Sequence, residues 1–208
     1  MVALRQRLDA VAKRDSHTRD GKYQIRSLYF DDLNDTALRE KIDGVNIREK
    51  FRIRYYNSDT GFIRLEKKSK INGLCAKESE VISEETARAA ANGDFNALSH
   101  IETPLVRELY AKMKNRGLRA KTIVDYTREA FVFPAGNVRI TIDSNIRTGL
   151  YSTDFLNPDA VTVPASASPI ILEIKWDDFL PDIMRDIIQL ENCSVGAFSK
   201  YAACRSYG

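Results

Sequence analysis

Six short segments alternate charged with apolar residues, and the charged positions are mostly basic. They are Arg52-Ile53-Arg54, Arg64-Leu65-Glu66-Lys67-Lys68, Lys77 with Ser79, Arg128 with Ala130, Arg139-Ile140-Thr141-Ile142-Asp143, and Glu173-Ile174-Lys175. A strand sends successive side chains to opposite faces, so each segment sorts its ions to one side. That side collects Arg52, Arg54, Arg64, Lys68, Lys77, Arg128, Arg139 and Lys175 against Glu66, Asp143 and Glu173. Guanidinium forks match phosphate oxygens in bidentate geometry, and Lys adds point charge. Repulsion within such a set is relieved when an anion binds. Glu66 and Glu173 supply the hard oxygens that suit Mg²⁺ or Mn²⁺. Phosphoryl transfer asks a protein mainly to position groups and neutralise charge. The pattern therefore points to a polyanion site with a divalent metal.

The plain alternative is the solvent face of a half-buried sheet. Such faces usually mix Thr, Ser, Lys and Glu, whereas here Arg and Lys recur at matching positions. The other face is also apolar (Phe51, Ile53, Leu65, Val138, Ile140, Ile142, Leu172, Ile174, Trp176) and needs helices packed against it. A sheet covered outside by helices and charged inside would close as a barrel with a wet, basic lumen.

The elements that must position these residues follow from periodicity and punctuation. Leu4, Leu8 and Val11 predict an amphipathic helix over 2–13, and Tyr23 to Phe30 reads as a strand. Asp32 could cap a helix over 33–42 that Gly44 ends. Strands follow near 47–57, 61–69 and 75–82, joined by hairpin loops at 57–61 and 70–73. Ser83 opens an Ala-rich helix, and Thr103-Pro104 opens another. Strands resume at 119–133 and 137–147, split at Pro134-Ala135-Gly136, and Ile170 to Trp176 is the last. Residues 151–168 read as a loop, and a helix follows Pro181. Because helices interrupt the strands instead of alternating with them, the fold class is α+β with an antiparallel sheet. No linker divides the chain, so 1–208 reads as a single domain.

The chain has 208 residues and a net charge of +3, too mild to predict nucleic-acid binding. Cys75, Cys193 and Cys204 are scattered, which disfavours a disulfide framework or a zinc site and makes a reducing cytoplasm the default. No stretch approaches the roughly 20 apolar residues of a membrane span. His17 and His100 fall in polar loops and take no role, and the cysteines read as small hydrophobes or idle thiols. Asp31 reads as a turn or cap residue, and Tyr55 and Tyr56 as packing. Glu173 and Lys175, on alternate positions of one strand, could also pair with cross-strand neighbours and do nothing else.

Tyr29-Phe30-Asp31-Asp32, the run Arg48-Glu49-Lys50-Phe51-Arg52-Ile53-Arg54-Tyr55-Tyr56, Leu65-Glu66-Lys67-Lys68, Tyr126-Thr127-Arg128, Val138-Arg139-Ile140-Thr141-Ile142-Asp143, Leu172-Glu173-Ile174-Lys175 and Phe198-Ser199-Lys200-Tyr201 occur in this order. In this succession the chain resembles a bacterial VTC domain, the polyphosphate polymerase domain of the triphosphate tunnel (CYTH-like) enzyme superfamily. The resemblance implies an antiparallel tunnel barrel that transfers phosphate from ATP to a growing polyphosphate, with a divalent metal, often manganese. It further implies that Arg52 and Arg54 hold phosphate oxygens, with Lys67 or Lys68 and Lys77 adding to the grip; the strand pattern adds Arg64 to the phosphate-binding set. Arg128 and Arg139 would do the same from the far side of the lumen, and the strand pattern adds Lys175 to the phosphate-binding set. Glu173 would be the main metal ligand, Glu66 a second candidate, and Lys200 would reach the phosphate near the tunnel mouth. Family members usually begin with a strand of the form Arg-x-Glu-x-Lys-Tyr, whereas this chain starts inside the first helix at Met1-Val2-Ala3-Leu4-Arg5. The expected barrel thus lacks its first strand, and a second copy or a membrane-protein partner could cover the edge.

Three other functions compete with the polymerase. They are hydrolysis of triphosphate or tripolyphosphate, a polyphosphate-binding module without turnover, and, last, nucleic-acid binding, for which aromatic interleaving is too sparse.

Overall fold

The computed structural model describes residues 1–206 except His17, Arg19, 166–168 and Asn192. The histidine at 17 and the end of the 151–168 loop therefore lie outside the described residues. The chain forms two compact units. The smaller comprises Met1–Tyr23, Thr127–Asn145 and Pro169–Phe198, and the larger Gln24–Tyr126, Ile146–Ser168 and Ser199–Gly208.

The strands are β1 (Lys13–Arg14), β2 (Tyr23–Asp31), β3 (Arg48–Tyr56), β4 (Asp59–Ile71), β5 (Leu74–Ile82), β6 (Arg119–Phe133), β7 (Val138–Thr148), β8 (Val163–Pro164) and β9 (Ile171–Lys175). The α-helices are α1 (Val2–Val11), α2 (Thr36–Ile42), α3 (Glu84–Asn92), α4 (Phe95–Ser99), α5 (Pro104–Arg116), α6 (Asp182–Ile187) and α7 (Lys200–Arg205). Both units draw on β6 and β7.

In the larger unit the strand order is β5-β4-β3-β2-β6-β7-β8. The pairs β2–β3, β3–β4, β4–β5 and β7–β8 are antiparallel. The path is open, and closure into the expected barrel is not seen in its pairing. At the β8 end the ladder is only two residues long and includes Pro164, which has no N–H to donate. Leu28 and Phe30 of β2, Phe51, Ile53 and Tyr55 of β3, and Ile63 and Leu65 of β4 are buried with Ala87 and Ala90 of α3, Leu98 of α4 and Leu105, Leu109 and Met113 of α5. These helices cover the apolar face that the sequence required them to cover. Each starts where local chemistry allows. Ser83 Oγ accepts the Thr86 N–H at 3.2 Å, and Asp94 Oδ1 accepts the Ala97 N–H at 3.1 Å. At α5 the Thr103 side chain makes no cap bond, and the Leu105 N–H is taken by Glu80 Oε2 at 3.1 Å instead.

Two carboxylates share the start of α2. Asp32 accepts from Asn34 and Thr36, and Asp31 from Ala37 and Leu38. Asp31 is therefore a cap, as its turn setting indicated, and Asp32 has only part of the duty expected of it.

In the smaller unit β1 pairs with β6 and β9 with β7, both antiparallel. Its core is Leu4 and Leu8 of α1, Phe131, Val138, Ile140, Ile142 and Met184 of α6. Gly136 makes the β6–β7 turn at φ 71°, and a Cβ there would collide with the Phe179 carbonyl. Trp176, expected on the covered apolar face, is 48% exposed because β9 ends at Lys175, one residue before it.

Candidate functional site

Register decides which residues of β3, β4 and β5 share a face. Lys50 lies opposite Lys68, which lies opposite Lys77. The next row is Arg52, Glu66 and Ser79, and the third is Arg54, Arg64 and Val81. Arg48 and Lys70 continue the same face at one end. Three of these four rows place like charges directly opposite each other, an arrangement that costs stability. On these three strands the face has a single carboxylate, Glu66.

Glu66 is 1% exposed and surrounded by cations. Its Oε2 lies 2.6 Å from Arg52 Nη2 and 3.7 Å from Arg54 Nη1, and its Oε1 lies 2.6 Å from Lys77 Nζ. Burial opposes its charge, but Arg52, Arg54 and Lys77 outweigh burial and hold the carboxyl at about 2. Arg54 is itself buried and donates to Tyr126 Oη at 3.1 Å and, more weakly, to Ser27 Oγ. Arg52 donates to Tyr29 Oη at 2.8 Å.

Aromatic rings line the same face. Tyr29 stacks on Tyr201 of α7 with centroids 5.0 Å apart, and Tyr201 donates to Asp31 Oδ2 at 2.9 Å. This contact anchors α7, whose first residue, Lys200, sets its Nζ 4.7 Å from the Tyr126 ring centroid. The site thus brings together Arg52, Arg54, Arg64, Glu66, Lys68, Lys77 and Lys200. Lys67 points the other way, onto the helix-covered face, where it binds Glu108 of α5 and Glu78. Between Lys67 and Lys68, only Lys68 shares the face of Arg52.

Sequence reasoning passed over three residues of this face. Lys50 has the parity of Arg52 and Arg54, and its Nζ lies 5.8 Å from the Tyr29 centroid. Burial, with Arg52 nearby, lowers its ammonium below the ordinary value even though Tyr29 opposes the shift. Counting back two residues from Arg52 would have found it. Tyr29 and Tyr126 fall in strands, where an aromatic residue reads from sequence as packing.

The smaller unit has its own ionic cluster. Arg128 holds Asp143 in a two-pronged bond at 2.6 and 2.7 Å, and its Nη2 lies 4.0 Å from Glu173 Oε2. Lys175 lies 3.3 Å from Glu173, and Arg139 binds Asp15 at 2.6 Å and Tyr23 Oη at 3.4 Å. Every cation predicted here has a carboxylate of its own. Thr141, opposite Glu173 in the β7–β9 register, is 4% exposed, and its Oγ1 has no hydrogen-bond partner among the described residues.

The donors also test the implied metal. Glu66 does not fit, because it is 1% exposed and each of its oxygens is held by a cation at 2.6 Å. Glu173 fits better. It is 43% exposed at the side chain, lies opposite the unpartnered Thr141 hydroxyl, and is one strand from Asp143. Among the described residues no three His, Cys, Asp or Glu gather as a complete ion site. Substrate oxygens would have to complete the coordination, which is how Mg²⁺ usually binds.

The architecture is thus an α+β antiparallel-sheet protein whose larger unit gathers a surplus of cations on one strand face. The VTC domain profile matches residues 1–207, and the chain belongs to the VTC domain family. Among solved structures it is similar to a Bacillus halodurans protein described as a candidate adenylate cyclase, at 10% identity and TM-score 0.44, covering 71% of this chain and 67% of that one. It is also similar to a Pyrococcus horikoshii protein, at 12% identity and TM-score 0.43, covering 89% and 78% of the two chains. A second P. horikoshii protein has 12% identity and TM-score 0.44, covering 90% and 79%. No curated protein matches the chain by sequence. Among the described residues no helix is long and apolar enough to cross a membrane.

Proposed function

We propose that this VTC domain transfers phosphate from ATP to polyphosphate and that the cation face of its larger unit holds the phosphate chain. The observation that carries this reading is the pair of like-charged rows, Lys50–Lys68–Lys77 and Arg54–Arg64, set on either side of Arg52 and Glu66. Opposed like charges disfavour the empty sheet. A polyanion offsets that cost, and Arg52 and Arg54, pre-oriented by Tyr29, Tyr126 and Glu66, offer fork donors to its oxygens. Lys200, at the start of α7 and over the Tyr126 ring, would steady the phosphate being transferred. In the smaller unit Arg128, Arg139 and Lys175 would contribute further phosphate contacts by exchanging carboxylate partners for phosphate oxygens. Glu173, with the Thr141 hydroxyl, would hold Mn²⁺ or Mg²⁺, whose positive charge would offset that of the phosphate oxygens. A cytoplasmic setting supplies the ATP.

The test is incubation of the chain with ATP and Mn²⁺, with products resolved on a gel. Long polyphosphate ladders are expected. Free phosphate without ladders would make the domain a triphosphatase, and tight tripolyphosphate binding with no product would make it a binding module.

A further inference from the structure

The cation face has more positive charge than its carboxylate can balance, and the next acidic proton within reach is a phenol. Tyr29 is 3% exposed. Its oxygen receives the Arg52 Nη1–H at 2.8 Å, and Lys50 and Arg54 project from the same strand on the same side. Other groups face this neighbourhood as well. Glu66 on β4 is already engaged by Arg52, Arg54 and Lys77. Tyr126 on β6 takes a bond from Arg54, and Lys200 on α7 lies over the Tyr126 ring. Tyr201 on α7 donates to Asp31 on β2, and burial beside that carboxylate pushes the Tyr201 phenol up, so it keeps its proton. Among the described residues no carboxylate accepts a hydrogen bond from Tyr29 as Asp31 does from Tyr201.

We infer that Tyr29 is the counter-charge of the empty phosphate face and that binding of a polyphosphate anion returns a proton from solvent to its phenolate oxygen. The inference rests on the anion-binding reading above. The proton balance is simple. Without ligand, the phenolate compensates Arg52, Lys50 and Arg54. When phosphate oxygens take over those cations, the phenolate loses its stabilisation and takes up one proton from buffer, with no other bond made or broken. Burial resists ionisation of Tyr29, but Arg52, Lys50 and Arg54 outweigh it and bring the phenol to about 7, against an ordinary 10. Above neutrality, affinity for the anion then falls, by up to about tenfold per pH unit.

Two measurements test this. The first is absorbance titration of the free chain at the tyrosinate band, in wild type and Tyr29→Phe. Phe keeps the ring stacked on Tyr201 while removing the hydroxyl. One phenol is expected to ionise near neutrality in wild type and to be missing in the variant. If all tyrosines titrate together in the alkaline range, the inference is overturned even if the anion binds. The second is calorimetric titration with tripolyphosphate in buffers of different ionisation enthalpy. Uptake of about one proton per anion is expected at a pH between about 8 and 9, and almost none at about pH 6. Burial also lowers the Lys50 ammonium, so Lys50→Arg, which keeps the charge at this position, serves as control. The uptake attributed to Tyr29 should persist in Lys50→Arg and disappear in Tyr29→Phe. Binding with equal uptake in wild type and Tyr29→Phe overturns the inference and leaves the anion site intact. No binding in wild type overturns both.

Discussion

On β3, β4 and β5 of the larger unit, Glu66 alone meets Arg52, Arg54 and Lys77, while rows of Lys and Arg lie above and below it. On β6, β7 and β9 of the smaller unit, Arg128 has Asp143, Arg139 has Asp15 and Lys175 has Glu173. The same residue types, on strands of the same alternation, leave one face with surplus charge and the other balanced. A balanced cluster is complete without a ligand, whereas a surplus must be offset by solvent, by ionisation of a neighbour or by a bound anion. On the proposed reading the surplus is where phosphate would be held, whereas the balanced cluster would first have to exchange its carboxylate partners.

The largest expected effect comes from removing the central carboxylates. Glu66→Gln leaves three cations without their anion and should cost about 3 kcal/mol of stability in low-salt thermal unfolding. Tripolyphosphate at about a hundred times its Kd should restore a similar amount. Asp143→Asn should destabilise comparably, because it strips a fully buried partner from Arg128, but tripolyphosphate should restore much less. Equal rescue of both variants would erase the distinction between the clusters.

Anion affinity gives the next effect. Arg54→Leu should weaken tripolyphosphate binding about tenfold or more, the worth of one charge-assisted bond. Arg139→Leu should weaken it less than about threefold, because Arg139 already has Asp15. Calorimetry on the two variants gives the ratio directly.

Much of this was legible in the sequence. Period-two alternation located β3, β4, β5, β7 and β9 to within a few residues, since burial of one face leaves a plain pattern. It also identified Arg52, Arg54, Arg64 and Lys77 as neighbours before any register was known. Short helices escaped it. The five-residue α4 is too brief to show a period, and α7 follows a motif read only for its lysine. The choice between Lys67 and Lys68 depended on parity across a hairpin, which only pairing settles. The carboxylate partners in the smaller unit were illegible for a related reason. Asp15 lies 124 positions from Arg139, and no local pattern announces such a contact. Tyr29 was overlooked because the sequence gives a strand tyrosine no charge, while its surroundings do.

Acid titration gives a smaller effect that sharpens the contrast. Glu66 is held at about 2, below its ordinary 4.5. Its contribution is complete above the ordinary value and is lost as pH falls from there toward 2. Wild type should lose stability over that interval, and Glu66→Gln should show a flatter dependence by denaturant unfolding at stepped pH. The smallest effect should come from Lys67→Met. Its partners Glu108 and Glu78 lie on the helix-covered face, so tripolyphosphate affinity should change less than about twofold and stability by no more than about 1 kcal/mol.

The most direct measurement is a crystal structure of the chain grown with tripolyphosphate and Mn²⁺. The account predicts phosphate oxygens within hydrogen-bond distance of Arg52, Arg54 and Lys77. An anion bound only at Arg128 and Arg139, with the cation face of β3, β4 and β5 left to water, would contradict it.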